Sequence, residues 1–289
     1  MPEQAECNDS SQAVARIIAV TNQKGGVGKT TTAINTSACL AEMGHSVLMV
    51  DMDPQGNATS GVGIEKSKIS DCVYDVLLGE ADARSVILPG PIENMDVLPS
   101  TLDLAAAEIE LASELSRENR LRSGLAPLRS SYDYIIIDCP PALGLLTINS
   151  LAAAGETLIP IQCEYYALEG LVYLLRTIQR VKLHVNPGLV IAGVLLTMFD
   201  TRTNLSKDVE AEVRREYPHI AFKTVIPRTV RLSEAPGFGK PIILYEPSSK
   251  GAWAYAELAK EVVQSGEERT GEGPGRPYQV GSGSGGEPA

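Results

Sequence analysis

A lysine, a hydroxyl and three aspartates in the first half of the chain have the types and spacing needed to handle a phosphate chain. Thr21 to Thr32 reads T-N-Q-K-G-G-V-G-K-T-T-T and follows the apolar run Arg16-Ile17-Ile18-Ala19-Val20. A strand that ends in glycines and opens a helix with Lys-Thr-Thr aims backbone N–H groups at an anion, beside a cation and a hydroxyl. Gly25, Gly26 and Gly28 let the backbone approach closely, Lys29 contacts β- and γ-phosphates, and Thr30 ligates Mg2+. Val27 and Thr31 complete the loop's contact set. The general pattern G-x-x-x-x-G-K-[ST] wants a glycine where Gln23 stands, and this loop offers Lys24 ahead of its glycine pair instead. By itself Lys24 reads either as a solvated surface lysine or as a second cation able to point across a subunit boundary.

The carboxylates come from two further strand ends. Tyr134-Ile135-Ile136-Ile137 is a continuous apolar run ending in Asp138-Cys139-Pro140-Pro141, which places a carboxylate where it can hold Mg2+ directly or through water. A turn-capping aspartate is the plain alternative for Asp138. Val47-Leu48-Met49-Val50 ends in Asp51-Met52-Asp53, where one carboxylate could orient an attacking water and the other support the metal. Phosphoryl transfer depends on positioning and charge neutralisation, so one well-placed carboxylate can be decisive.

Positioning these groups requires parallel strands joined by helices. Strand, helix and strand within about 35 residues form a βαβ unit, whose strand tips face one crevice. The pattern continues with a short helix over 71–79, for which Asp71 is a candidate cap, and a Pro/Gly loop at 89–91. A strand over 95–98, an alanine-rich helix over 102–115 and a helix over 120–128 follow. Beyond the central strand at 134–137 come a strand at 157–161, a helix at 167–181, a strand at 189–197, a helix within 201–217, an edge strand at 222–226 and a last helix from 250 to about 264. The expected fold is α/β, with a mostly parallel central sheet flanked by helices. Residues 1–15 read as a polar disordered leader, and 266–289, with eight glycines and three prolines, as a disordered tail.

A net charge of −11 argues against a chain coated in basic residues. From Arg202 to Lys240, however, eight basic residues face five acidic ones, so that stretch carries +3 against −14 elsewhere. A few aligned Arg and Lys side chains are enough for salt-sensitive, sequence-independent contact with nucleic-acid phosphates. The five cysteines are scattered without a C-x-x-C pair and read as free thiols in a reducing cytosol. The N-terminus has no signal-peptide character, and no run approaches the ~18 apolar residues of a membrane span, so the expectation is a soluble cytoplasmic protein.

In combination, N-Q-K-G-G-V-G-K-T-T-T, V-D-M-D-P-Q-G-N-A-T-S-G, Y-I-I-I-D-C-P-P, Q-C-E-Y-Y-A-L-E-G and V-I-P-R-T-V-R-L-S-E-A-P resemble the ParA/Soj chromosome-partitioning ATPases, in the deviant-Walker-A class of P-loop NTPases. The resemblance spans residues 16 to about 264 and implies a three-layer P-loop ATPase domain over 16–265 that uses ATP and Mg2+. It implies that Lys24 reaches across an ATP-bound sandwich homodimer and acts with Lys29 and Asp53 in hydrolysis. It implies further that Pro227 and Arg228 pack near the adenine, and that Arg202 and Arg231 hold DNA without sequence preference. The implied partner is a ParB-type centromere-binding protein that stimulates hydrolysis, and the implied location is cytoplasmic and nucleoid-associated. No helix-turn-helix stretch precedes the loop, which argues against an operator-binding autorepressor. A MinD-like membrane-cycling regulator is the alternative. It needs a C-terminal amphipathic helix with basic flanks, which the tail lacks. An electron-transfer ATPase would need cluster-ligating cysteines, and Cys139 and Cys163 are far apart in sequence.

Overall fold

Successive side chains of a strand point to opposite faces, so a run such as Tyr134–Asp138 needs cover on both sides. The computed structural model describes residues 14–271 and supplies that cover. Its strands are β1 (Arg16–Val20), β2 (Val47–Asp51), β3 (Leu88–Pro89), β4 (Met95–Leu98), β5 (Tyr134–Asp138), β6 (Glu156–Gln162), β7 (Val190–Phe199) and β8 (Ala221–Pro227). They form one sheet in the order β3-β4-β2-β5-β1-β6-β7-β8, parallel throughout except for the short antiparallel edge strand β3.

The helices are α1 (Lys29–Glu42), α2 (Asn57–Gly61), α3 (Val73–Leu78), α4 (Ala83–Val86), α5 (Leu104–Glu110), α6 (Arg120–Leu125), α7 (Leu145–Ala153), α8 (Ala167–His184), α9 (Asn204–Glu216), α10 (Val230–Glu234), α11 (Ile242–Tyr245) and α12 (Lys250–Gly271). Alternation along the strands divides the core in two. Ile17, Leu48, Val50, Ile135 and Ile137 pack with Leu146 and Leu151 of α7 and Leu171 and Leu174 of α8. Ile18, Val20, Met49 and Ile136 pack with Ile34, Ala38 and Leu40 of α1 and with Tyr255, Leu258 and Val262 of α12. The expected three layers follow from this division.

The strand order aligns the chemistry. β5 lies between β1 and β2, in registers that place Val20, Asp138 and Asp51 side by side. The strand legible as most buried is thus central, and its carboxylate ends beside the loop that leaves β1. At the far side, β8 is an edge strand whose open backbone groups are covered, which blunts pairing with another chain. The Glu261 carboxylate accepts from the Lys223 and Thr224 amides at 2.8 and 2.7 Å, and the Arg214 guanidinium donates to the Phe222 and Lys223 carbonyls at 3.1 and 2.9 Å.

Several boundaries differ from the sequence reading. α3 is not capped by Asp71; the Asp75 carboxylate reaches back to accept from the Cys72 amide at 2.7 Å. The alanine-rich helix is shorter than 102–115 and gives way to a 3-10 turn at Leu111–Ser113. α7 went unread because it follows directly on the proline-rich turn after β5. The domain also exceeds 16–265 at both ends. Ala15 is buried and its amide donates to the Arg129 carbonyl at 2.8 Å. α12 continues through Gly271, because Glu267, Glu268 and Arg269 are good helix formers that the glycine-rich average of 266–289 conceals. The remainder of the expected leader and tail lies outside the described residues. No helix among the described residues is long and apolar enough to cross a membrane.

Candidate nucleotide site

The glycine-rich loop owes its shape to its neighbours as much as to its own residues. Gly28 caps α1 in the left-handed region at φ 89°, where a side chain would be strained. Asn22 donates from Nδ2 to the Pro160 carbonyl at 2.7 Å and accepts from the Lys24 amide on Oδ1 at 2.9 Å. On the other side the buried Thr197 hydroxyl, at the end of β7, bonds the Val27 carbonyl at 2.8 Å and lies 3.1 Å from that of Ile161. Asn35 ties the first turn of α1 onward, donating to the Thr31 carbonyl at 2.7 Å and accepting from the Ile242 amide at 2.7 Å. Thr32 shares a hydrogen bond of 3.2 Å with the buried Tyr255 of α12.

Within this frame Lys29 is 6% exposed, and its ammonium donates to the Lys24 carbonyl at 3.1 Å. Burial lowers its pKa, while Asp138, Cys139 and Asp53 oppose the shift. It is therefore a desolvated cation facing acidic groups at the mouth of a helix N-terminus, where a phosphate would take over the carbonyl's place.

The three aspartates have different environments. Asp138 is fully buried and neither carboxylate oxygen makes a well-formed hydrogen bond, although the Thr30 side chain interacts with it. Burial raises its pKa well above the ordinary range, the Asp51 charge adds to this, and Thr30 and Lys29 oppose it. A buried carboxylate without well-formed hydrogen bonds, near a threonine hydroxyl and an ammonium, fits a hard divalent cation with oxygen ligands. Asp51 is committed instead: its Oδ1 accepts from the Asp53 amide at 3.1 Å, and its Oδ2 from the Thr59 amide and hydroxyl at 2.8 Å each. Asp51 thus braces the turn that carries Asp53, a task distinct from the water-orienting and metal-supporting roles that the sequence left open for the pair. Asp53 closes that turn through the Gln55 amide at 2.9 Å, and its carbonyl accepts from the Ser100 hydroxyl at 2.8 Å.

The turn continues into α2 and then meets the basic region. Gly63 and Gly239 pack backbone against backbone, and a Cβ on Gly239 would stand 2.6 Å from the Gly63 Cα. Gly239 follows the segment of α10 that carries Arg231, so the Asp53 turn and Arg231 sit at two ends of one packed connection.

Lys24, unlike Lys29, is exposed, and its ammonium pairs with Glu164 Oε2 at 2.5 Å. Pro227 ends β8 opposite Phe199, and the Arg228 amide donates to the Phe199 carbonyl at 2.9 Å, on the same sheet edge as the loop. Arg202 is exposed and grips Asp200 through two bonds of 2.9 and 2.7 Å, holding that carboxyl well below its usual range. Arg231 pairs with Glu234 at 2.9 Å. Arg214 and Arg215 are also paired with glutamates, which the +3 of the strip already counts, and Asp200 just outside it lowers the local balance to +2. Cys139 and Cys163 are buried, with both thiols pushed up to about 12 by burial, and no metal-ligating cluster occurs among the described residues. Sequence reasoning missed Thr197, Ser100 and Asn35, whose neighbours give no signal. Asn22, Thr59 and Glu164 stand inside the quoted motifs.

The AAA domain family matches residues 15–191. The sporulation initiation inhibitor protein Soj of Bacillus subtilis is 59% identical over 88% of this chain and 100% of its own length. The chromosome partitioning protein ParA of Myxococcus xanthus is 53% identical over 87% of this chain and 89% of its own. The chain belongs to the Soj/ParA chromosome-partitioning ATPases. Among solved structures, cobyrinic acid a,c-diamide synthase from Mycobacterium smegmatis, with an ATP analogue and magnesium, is similar at a TM-score of 0.78 and 38% identity, over 92% of this chain and 100% of that one. The septum site-determining protein MinD from Pyrococcus horikoshii, with Mg-ADP, is similar at 0.71 and 29%, over 86% and 96%. The Soj/ParA assignment and these neighbours agree with the P-loop ATPase fold that the sheet order and the loop display.

Proposed function

We propose that this chain is a slow, Mg2+-dependent ATPase that works as an assembly switch in DNA segregation. It is monomeric without ATP and dimeric with it, binds DNA without sequence preference as the dimer, and is reset by hydrolysis that a ParB-type partner stimulates. The observation that carries this reading is the opposite setting of the two loop lysines. Lys29 is buried and faces carboxylates, while Lys24, five residues earlier, stands on the exposed rim, where a second molecule's phosphates could reach it.

When ATP and Mg2+ are bound, they supply the phosphoric anhydride and the charge neutralisation. The chain's own groups have distinct tasks. Gly25, Gly26, Val27, Gly28 and Thr31 present the loop backbone, Lys29 neutralises phosphate charge, and Thr30 and Asp138 hold the metal. Asp53 orients the attacking water, and Pro227 and Arg228 flank the base. The relatives' names support the segregation role. DNA contact by Arg202 and Arg231 is supported by their exposure, and two copies present twice the basic strip of an otherwise acidic chain, consistent with a cytoplasmic, nucleoid-associated protein. The membrane-cycling alternative gains little from α12, which spends Tyr255, Leu258, Ala259 and Val262 in the core although Trp253 is exposed.

Sedimentation velocity of full-length Asp53→Ala with ATP and Mg2+, with and without DNA, tests the reading. The expected result is a monomer that becomes a dimer with ATP and then co-sediments with DNA, with turnover abolished. Normal turnover in this variant removes Asp53 from the mechanism. A monomer at saturating ATP, or DNA binding that ignores nucleotide, refutes the switch.

A further inference from the structure

Lys24 is restrained at three points. Its amide donates to Asn22 Oδ1 at 2.9 Å, its carbonyl accepts from the Lys29 ammonium at 3.1 Å, and its own ammonium is held by Glu164 at 2.5 Å. The second restraint must yield when a phosphate draws Lys29 away, because that ammonium cannot keep its present geometry on the Lys24 carbonyl and also serve the phosphate. Nucleotide binding thus removes one tether on residue 24 and leaves the Glu164 pair as the remaining hold on its side chain.

Glu164 is well placed for this. It follows β6 in a turn closed by its own amide on the Gln162 carbonyl at 2.8 Å and by the Ala167 amide on the Glu164 carbonyl at 3.0 Å. Its side chain is therefore presented from a fixed backbone. Both partners of the pair are about half exposed, at 53% and 45%, so releasing Lys24 leaves Glu164 in water rather than as a stranded buried charge. Such a pair is weak enough to be exchanged for a phosphate and strong enough to bias the free protomer.

We propose that Glu164 is a positioning residue that holds Lys24 on its own protomer and so raises the nucleotide and protein concentrations needed for ATP-driven dimerisation. This rests on the reading that Lys24 crosses to a second copy of the chain. Two such pairs open per symmetric dimer, and exposed ion pairs of this kind imply that removing the hold tightens dimerisation by about 2- to 30-fold.

The test is sedimentation equilibrium of full-length protein with Mg2+ and adenylyl imidodiphosphate, comparing wild type, Glu164→Gln, Glu164→Ala and Glu164→Asp, each also combined with Lys24→Ala. The proposal expects tighter dimers for the Gln and Ala variants, near wild-type behaviour for Asp, which keeps the charge, and no effect of Glu164 changes once Lys24 is alanine. Unchanged or weaker dimerisation in the Gln and Ala variants overturns it, as does an equal effect in the Lys24→Ala background, since a purely structural role would persist there. If Lys24→Ala alone dimerises like wild type, the crossing-lysine reading itself is overturned.

Discussion

Replacing Thr197 with valine isolates the part of the phosphate loop that another strand builds. Valine keeps the shape and both branches of threonine but removes the hydroxyl that bonds the Val27 carbonyl at 2.8 Å. Thr197 and Val27 are 2% and 1% exposed, so water cannot replace the lost partner. A buried carbonyl left without its donor costs about 1–3 kcal/mol. For a domain of this size that corresponds to a melting temperature lower by about 2–12 °C. Because the loop apex is then untethered, ADP must order it on binding, and each ~1.4 kcal/mol of that cost is about a tenfold loss of affinity. Thermal unfolding and calorimetric titration with ADP and Mg2+ measure the two effects. Thr197→Ser is the control: it keeps the hydroxyl and loses one buried methyl, at about 1 kcal/mol, and should retain wild-type ADP affinity. A valine variant that binds ADP as tightly as wild type, or a serine variant that binds it more weakly than the valine one, would refute the view that the hydroxyl shapes the loop.

Further outcomes follow from the carboxylates and the basic region. Burial pushes the Asp51 carboxyl from 3.8 up to about 6, so the folded chain holds this proton more tightly than the unfolded one. The stability it contributes is complete below pH ~4 and is lost as the pH rises through about 6. Denaturant titrations of nucleotide- and metal-free protein between pH 5 and 7.5 should show the upper part of this loss, and stability that is flat or rising there contradicts it. Arg231→Glu should abolish retention of DNA at low salt while the ATP-dependent dimer persists in sedimentation, and undiminished retention in a mobility-shift assay would remove Arg231 from the DNA surface. Glu234→Gln, which frees Arg231 from its 2.9 Å partner, should strengthen that retention, and no change would show that the ion pair does not compete with DNA.

The central features of this molecule were legible because they are local. Gly25 to Thr31 encode a strand-to-helix turn with a lysine and a hydroxyl in fixed order, and the unbroken apolar run at 134–137 demands cover on both faces, which makes β5 central and carries Asp138 to the sheet's edge. The division of labour between Asp51 and Asp53 was not legible, since two residues with the same chemistry differ only in whether Thr59, eight positions on, reaches back to one of them. The pairing inside the basic strip was not legible for the same reason: a charge count gives the net +3 but not that Asp200, Glu210, Glu212 and Glu234 fold onto its arginines.

The sequence by itself determined a P-loop, an aspartate at the end of a buried strand and the α/β order that brings them together, because hydrophobic periodicity and backbone geometry act over a few residues. Only the tertiary structure decided which groups are engaged and which are held ready. Thr197 reaches Val27 across 170 positions of sequence, and Glu164 meets Lys24 across 140. Contacts at such separations arise from strand order and helix packing, and they distinguish a buried Lys29 from a tethered Lys24 within six residues of one loop.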